Sequence, residues 1–243
     1  MRLTRIFQPE ELIVNSELEL SSDAANHVGR VLRLQNGHPI VLFNGNGFDY
    51  ECEIIQVERK SVRVKIKEKN SVNNESQLKI HLAQVISRGD KMDFTLQKAV
   101  ELGVHEISPL ISERCGVKLN AERMQKKTEQ WQKIVQSACE QCGRAFVPKV
   151  NPVIQLEELL NTSFSGVRLN LHPQAKFGIG GLDKKTQQVQ LLIGPEGGLS
   201  DEEIEKARQA NFTDILMGPR VLRTETAGLA AISMLQCILG DLG

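Results

Sequence analysis

Residues 191–227 read LLIGPEGGLSDEEIEKARQANFTDILMGPRVLRTETA. Two glycine-bearing loops, Gly194-Pro195-Glu196-Gly197-Gly198 and Met217-Gly218-Pro219-Arg220, each follow a short apolar run. Ser200-Asp201-Glu202-Glu203 has the spacing of a capping box, which opens a helix straight after the first loop. The pattern is strand, tight loop, helix, then the same again. Ligands of open α/β sheets bind outside the carboxyl ends of the strands, so two such loops side by side predict the floor of a pocket.

Glycine lets backbone approach a ligand closely and adopt positive φ. A helix N-terminus behind a glycine loop suits phosphate, but neither the G-x-x-x-x-G-K-[ST] loop of nucleotide triphosphate binders nor an early G-x-G-x-x-G is present. Asp201, Glu202 and Glu203 would repel an anion, so a neutral or cationic guest fits better. The glycines also serve as plain strand-to-helix turns. The second loop adds Arg220, Arg223 and Glu225 within a few residues. These read either as site chemistry or as a surface Arg223–Glu225 pair with Arg220 solvated, a kind of pair that contributes little.

Working outward, the same rhythm covers the chain's larger part. Strands are expected at Leu78–Val85, His105–Ile111, Val167–Leu171, Val189–Ile193 and Thr213–Met217. Helices are expected at Asp90–Leu102, at Ala121–Cys142 with Met124, Trp131, Ile134, Val135 and Ala138 near one face, and at Thr226–Leu239. Strands alternating with helices imply a parallel sheet covered on both faces. The first residues differ. Pro39–Phe43, Phe48–Val57 and Ser61–Glu68 read as strands, with two Asn-Gly dipeptides at Asn44–Gly47 as a hairpin turn. Val62, Val64 and Ile66 alternate with Arg63, Lys65 and Lys67, the period of a half-buried strand. One helix, Ser22–Leu32, capped by Ser21 or Ser22, interrupts them. Several short strands with one helix suggest a small barrel. The polar stretch Asn70–Gln77 is the expected boundary, giving domains 1–72 and 73–243.

The 243 residues are enough for one large or two modest domains. Net charge is zero, and neither supports nor excludes a nucleic-acid partner. No apolar run approaches the ~20 residues that span a bilayer, and Met1–Phe7 lacks the apolar core of a signal peptide. A cytoplasmic protein without membrane or metal partners is expected. The five cysteines are scattered. Cys139-x-x-Cys142 has no second ligand pair at zinc spacing and reads as small helix residues.

GPEGGLS at 194–200 with LMGPRVLRTETA at 216–227 closely resembles the RsmE family of 16S ribosomal RNA uridine-N3 methyltransferases, of the SPOUT superfamily. The likeness runs through almost the whole chain. It takes in His27–Arg33, Ser87–Met92, Gln97–Gly103, Glu113–Cys115, Trp131–Ile134 and Glu140–Arg144. The resemblance implies an N-terminal PUA-like β-barrel that helps dock RNA, and a C-terminal α/β domain with a parallel sheet and a trefoil knot. Physical rules alone argue against a knot. It also implies S-adenosylmethionine as cofactor, a homodimer through the knotted domain, and 16S rRNA of the small ribosomal subunit as partner. The cofactor should meet three loops, through Asn170, Leu171 and His172; Ile193, Gly194, Pro195, Glu196 and Gly198; and Met217, Gly218, Val221 and Leu222. Arg220 or Arg223 would stabilise the uridine anion, with Glu225, or less favourably Glu196, near the departing proton. Arg2, Arg5, Arg30, Arg33, Arg88 and Lys91 are the expected RNA contacts. The rivals are a non-catalytic RNA-binding module, a transferase of the same superfamily acting on another RNA, and a nucleotide-dependent transferase.

Overall fold

The computed structural model describes residues 3–118 and 120–243, so Arg2 lies outside the described residues. The chain divides into two compact units, residues 1–75 with 136–147, and residues 76–135 with 148–243.

In the first unit, strands β1 (Thr4–Phe7), β2 (Glu17–Glu19), β3 (Pro39–Phe43), β4 (Phe48–Val57) and β5 (Val62–Ser71) form a sheet in the order β1-β3-β4-β5-β2. β1 pairs with β3 in parallel and the other neighbours are antiparallel. The Asn44–Gly47 turn is held by its own side chains: Asn44 Oδ1 accepts from the Asn46 amide at 3.3 Å and Asn46 Oδ1 from the Phe48 amide at 3.1 Å. Val62, Val64 and Ile66 of β5 enter the core beside Ile6, Val28, Ile40, Leu42 and Ile54, while Arg63, Lys65 and Lys67 stay exposed.

Three features depart from expectation. β5 continues to Ser71 because β4 supplies partners that far, pairing Phe48 with Ser71, so pairing overrides the polar composition of Asn70–Ser71. The single expected helix is instead α1 (Ser22–Asn26), capped by Ser21 Oγ on the Ala24 amide, followed by a π-turn at His27–Val31. Arg5, expected at an RNA surface, is buried. Its guanidinium pairs with Asp49, donates to the Arg144 carbonyl at 3.0 Å and lies 4.6 Å from the Phe43 ring centroid. A buried cation needs such partners, and its burial keeps it from a polyanion.

The second unit holds β6 (Lys79–Val85), α2 (Lys91–Glu101), β7 (Glu106–Ile111), α3 (Ala121–Cys142, whose last turns belong to the first unit), β8 (Lys149–Val150), β9 (Ile154–Gln155), α4 (Leu156–Leu160), β10 (Val167–Leu171), β11 (Phe177–Gly178), β12 (Gln188–Ile193), α5 (Asp201–Gln209), β13 (Phe212–Leu216) and α6 (Thr224–Leu239). The sheet runs β11-β13-β10-β12-β6-β7-β8, with β9 also on β7. Every pairing is parallel, as the alternation of strands and helices implied. The capping box forms, with the Glu203 amide on Ser200 Oγ at 3.3 Å and the Ser200 amide on Glu203 Oε2 at 2.9 Å. In α3, Trp131, Val135 and Ala138 are buried, and Trp131 Nε1 donates to Asp93 at 3.0 Å.

The two glycine loops are not side by side. They follow β12 and β13, and β10 lies between those strands. Three adjacent parallel strands therefore end on one edge, and the residues after β10 are flanked by a glycine loop on each side. Among the described residues no helix is long and apolar enough to cross a membrane.

Candidate active site

A cavity of about 610 Å³ opens at those three strand ends, within the usual range of small-molecule sites. It is lined by Asn170–Pro173 at the end of β10 and just beyond it, by Ile193–Glu196 and Gly198 at the end of β12 and in its loop, and by Val221–Thr224 running into α6. A smaller hollow of about 100 Å³ shares Leu171, His172, Val221 and Leu222 with it and adds Met217, Gly218 and Arg220. All twelve residues expected at a cofactor thus line one or both spaces. Gly198 and Gly218 take φ of +70° and +102°, the left-handed region where a side chain is disfavoured by roughly 1–2 kcal/mol.

Thr224 holds the loops together. Its Oγ1 donates to the Gly194 carbonyl at 2.7 Å and accepts from Gln84 Nε2 of β6 at 3.1 Å. Arg114 reaches the Gly197 and Leu199 carbonyls at 3.4 Å each. Val221 is 85% exposed, a large apolar side chain presented to solvent at the cavity rim.

The charges fall differently from their sequence reading. α6 begins at Thr224, two residues earlier than expected, so Glu225 sits in its first turn, where the helix dipole favours an anion. Glu225 does not pair with Arg223. Its Oε2 lies 3.8 Å from Lys91 Nζ, and Lys91 lies 3.5 Å from Glu196 Oε1. Lys91, expected on the RNA surface, is a cavity residue between two carboxylates. Arg223 lines the main cavity and Arg220 the smaller hollow, both exposed. Among the described residues neither has an ion-pair partner. Burial works against ionisation of Glu196, yet its own amide, the Arg88 amide at 3.3 Å and the Lys91 ammonium together hold its carboxyl below the ordinary value.

Asn170, which lines the cavity, has a buried Oδ1 with no hydrogen-bond partner; Glu225 lines neither space, and its buried Oε2, also without a hydrogen bond, faces Lys91. Asn170 Nδ2 is committed to Asp214 at 2.7 Å. Buried polar atoms are normally satisfied, so the site suits a guest carrying N–H donors or positive charge. Among the described residues no cluster of His, Cys, Asp and Glu could hold a metal ion.

Residues 74–236 match the family model of an RNA methyltransferase domain, a span that contains all three loops. The chain belongs to the RNA methyltransferase family. Residues 20–67 match a second model, that of an RNA methyltransferase PUA domain. A relative from Buchnera aphidicola (subsp. Schizaphis graminum) named ribosomal RNA small subunit methyltransferase E is 40% identical over 99% of this chain and 98% of its own. One of the same name from Bacillus subtilis is 32% identical over 88% and 87%. Among solved structures, the ribosomal RNA small subunit methyltransferase E of Neisseria gonorrhoeae, bound to S-adenosyl methionine, superposes with a TM-score of 0.93 at 39% identity over the whole of both chains.

In this RNA methyltransferase the sequence reading missed Thr224, Gln84, Arg114 and the placement of Lys91. The segment Ser87–Met92 stood out in the sequence, but nothing in it says that Lys91 turns toward two carboxylates more than a hundred residues away. Of the other cations expected at RNA, Arg30, Arg33 and Arg88 are exposed.

Proposed function

We propose that this chain transfers a methyl group from S-adenosylmethionine to N3 of a uridine in the 16S RNA of the small ribosomal subunit, as a cytoplasmic homodimer. The observation that carries the reading is the meeting of the β10, β12 and β13 loops in one cavity with apolar walls and the unpartnered Asn170 Oδ1. The names of the relatives and the cofactor bound by the structural neighbour support it.

S-adenosylmethionine supplies an electrophilic methyl on a cationic sulfur. Leu171, Val221 and Leu222 form walls for its apolar parts, and backbone groups of the three loops address the adenine. Asn170 Oδ1 is an acceptor for an N–H, and the ionised Glu196 suits a guest that carries positive charge. The uracil N3 proton must leave before N3 becomes a competent nucleophile, and the resulting charge spreads onto O2 and O4. Arginine remains protonated and is no base. Arg223 and Arg220, free of ion pairs, are donors for that developing anion, an effect of roughly 3 kcal/mol for one well-placed group. Glu225, in the first turn of α6 and 3.8 Å from Lys91, accepts the proton, while Glu196, held below its ordinary pKa, stays ionised. The target base leaves its stack to reach the cavity, and Arg30, Arg33 and Arg88 contact phosphate. The threading of the last loops as a trefoil knot belongs to the same reading.

The dimer reading has a physical basis in α6. From Thr226 to Leu239 the helix carries no charged residue. Its outer side presents Thr226, Met234 and Cys237 exposed, with Ala230 and Ser233 half-buried. A second copy of the chain would cover this face.

Thermal unfolding with ligands tests the assignment. S-adenosylmethionine should raise Tm and ATP should not, and labelled methyl should pass into small ribosomal subunits or protein-free 16S RNA. Protection by ATP alone would favour a nucleotide-dependent transferase. RNA binding without S-adenosylmethionine affinity would leave a non-catalytic module.

A further inference from the structure

Asn170 and Asp214 are register partners on the neighbouring parallel strands β10 and β13. Asn170 is buried and lines the large cavity. Asp214 lines neither that cavity nor the smaller hollow. One hydrogen bond joins them, from Asn170 Nδ2 to Asp214 Oδ1 at 2.7 Å. The other carboxylate oxygen, Oδ2, is held by Arg208 in the last turn of α5, with Nε at 2.9 Å and Nη2 at 2.8 Å. The Asp214 side chain is 13% exposed, whereas that of Arg208 is 49% exposed. A chain of three side chains thus runs from the surface, through a half-hidden carboxylate, to the cavity wall.

A carboxylate accepts hydrogen bonds and donates none, while a primary amide has one donating end and one accepting end. Asp214 therefore decides which end of the Asn170 amide faces β13. The NH2 end must face it, and Oδ1 is left without a protein partner. An asparagine without such an anchor would present either end to a ligand. Anchored, Asn170 offers only an acceptor, which selects for an N–H and against an oxygen at that place. Arg208 supplies the second stage. With two of its nitrogens on Oδ2, it fixes the rotation of the carboxylate and leaves Oδ1 for Asn170. An exposed ion pair contributes little to stability, so orientation is the larger use of this one.

We infer that Asp214 and Arg208 are positioning residues for the cofactor, acting through Asn170: they lock its amide so that Oδ1 accepts a hydrogen bond from an N–H group of S-adenosylmethionine. The inference rests on the cofactor reading above and extends it to two side chains outside the cavity.

Titration calorimetry of S-adenosylmethionine on the full chain tests this in a double-mutant cycle of Asp214→Asn and Asn170→Ala. The Asp214→Asn side chain keeps its size but pairs with either end of the Asn170 amide. It should weaken cofactor binding on the order of tenfold, the scale of one hydrogen bond. In methyl transfer to protein-free 16S RNA, its KM for the cofactor should rise while kcat stays within about twofold, the mark of a lost binding contact. In the Asn170→Ala background the same substitution should change affinity by less than about twofold, because no amide remains to be oriented. Wild-type affinity in Asp214→Asn would overturn the inference. So would an equal loss in both backgrounds, which would make the pair a plain contact between strands. If Asp214→Asn does not fold, Arg208→Gln at its exposed position takes its place: it should weaken binding several-fold, and unchanged affinity would overturn the inference. Any of these failures in a wild-type chain that binds S-adenosylmethionine leaves the cofactor reading standing, whereas no binding by the wild-type chain would overturn both.

Discussion

The Thr224 hydroxyl donates to the Gly194 carbonyl at 2.7 Å. This one bond joins the first residue of α6 to the first glycine loop, across a strand order that keeps the β12 and β13 ends apart by the width of β10. Because Gln84 of β6 donates to the same hydroxyl, three segments distant in sequence depend on a single side chain for their spacing.

Thr224→Val keeps the branched shape and removes the hydroxyl. The Gly194 carbonyl and the Gln84 amide then lose a partner in a buried setting, which should destabilise the protein by about 1–3 kcal/mol in urea unfolding. S-adenosylmethionine affinity, followed by titration calorimetry, should fall with it. Wild-type stability and affinity in this variant would show that the loops hold their places without the bond.

Arg223 and Arg220 are assigned to a charge that exists only during transfer. Arg223→Ala should lower kcat on the order of 100-fold while S-adenosylmethionine affinity stays within a few fold, and Arg220→Ala should act in the same direction. If both single variants turn over at the wild-type rate, anion stabilisation by these residues is wrong.

The sheet interior carries a pH dependence of its own. His81 of β6 bonds Ser108 Oγ at 2.8 Å and Gln190 Nε2 at 3.0 Å. Burial is the main influence on the ring and lowers its pKa; Glu106 opposes this and Arg168 reinforces it, leaving the value below 6.5. The unfolded chain therefore binds the proton more readily than the folded one, so stability is full above about pH 6.5 and declines as pH falls below it. Urea midpoints measured from pH 7.5 to 5.5 should drop, and His81→Gln should flatten that drop. A wild-type midpoint that is level or rises toward acid contradicts the sign.

The uncharged outer face of α6 makes a prediction about assembly. Met234 is 40% exposed in the isolated chain, so Met234→Glu should leave the fold intact and convert a dimer to a monomer in sedimentation velocity. A monomeric wild-type protein would remove the proposed dimer.

Much of this molecule is legible in its sequence where a period or a cap is long enough to read. The α3 helix, the β4 and β10 strands and the Ser200–Glu203 capping box lie where the residues place them, because each is decided locally. Both glycine loops were equally plain. What escaped depends on distant partners. β11 is a two-residue strand defined only by its pairing with β13, too short for any periodicity. The insertion of β10 between β12 and β13 is a matter of topology. Lys91 reads as one more surface cation until the fold brings Glu196 and Glu225 to it, and Arg5 does so until Asp49 and Phe43 enclose it. The π-turn at His27–Val31 continues a helical pattern seamlessly, and only its hydrogen bonds distinguish it.

Nucleoside mass mapping of 16S RNA after incubation with the protein and labelled S-adenosylmethionine tests the central claim most directly. The account predicts one labelled product, uridine methylated at N3, formed by the wild-type chain and nearly absent with Arg223→Ala. Label at another base, on ribose, or nowhere in 16S RNA from a protein that still binds S-adenosylmethionine would contradict it.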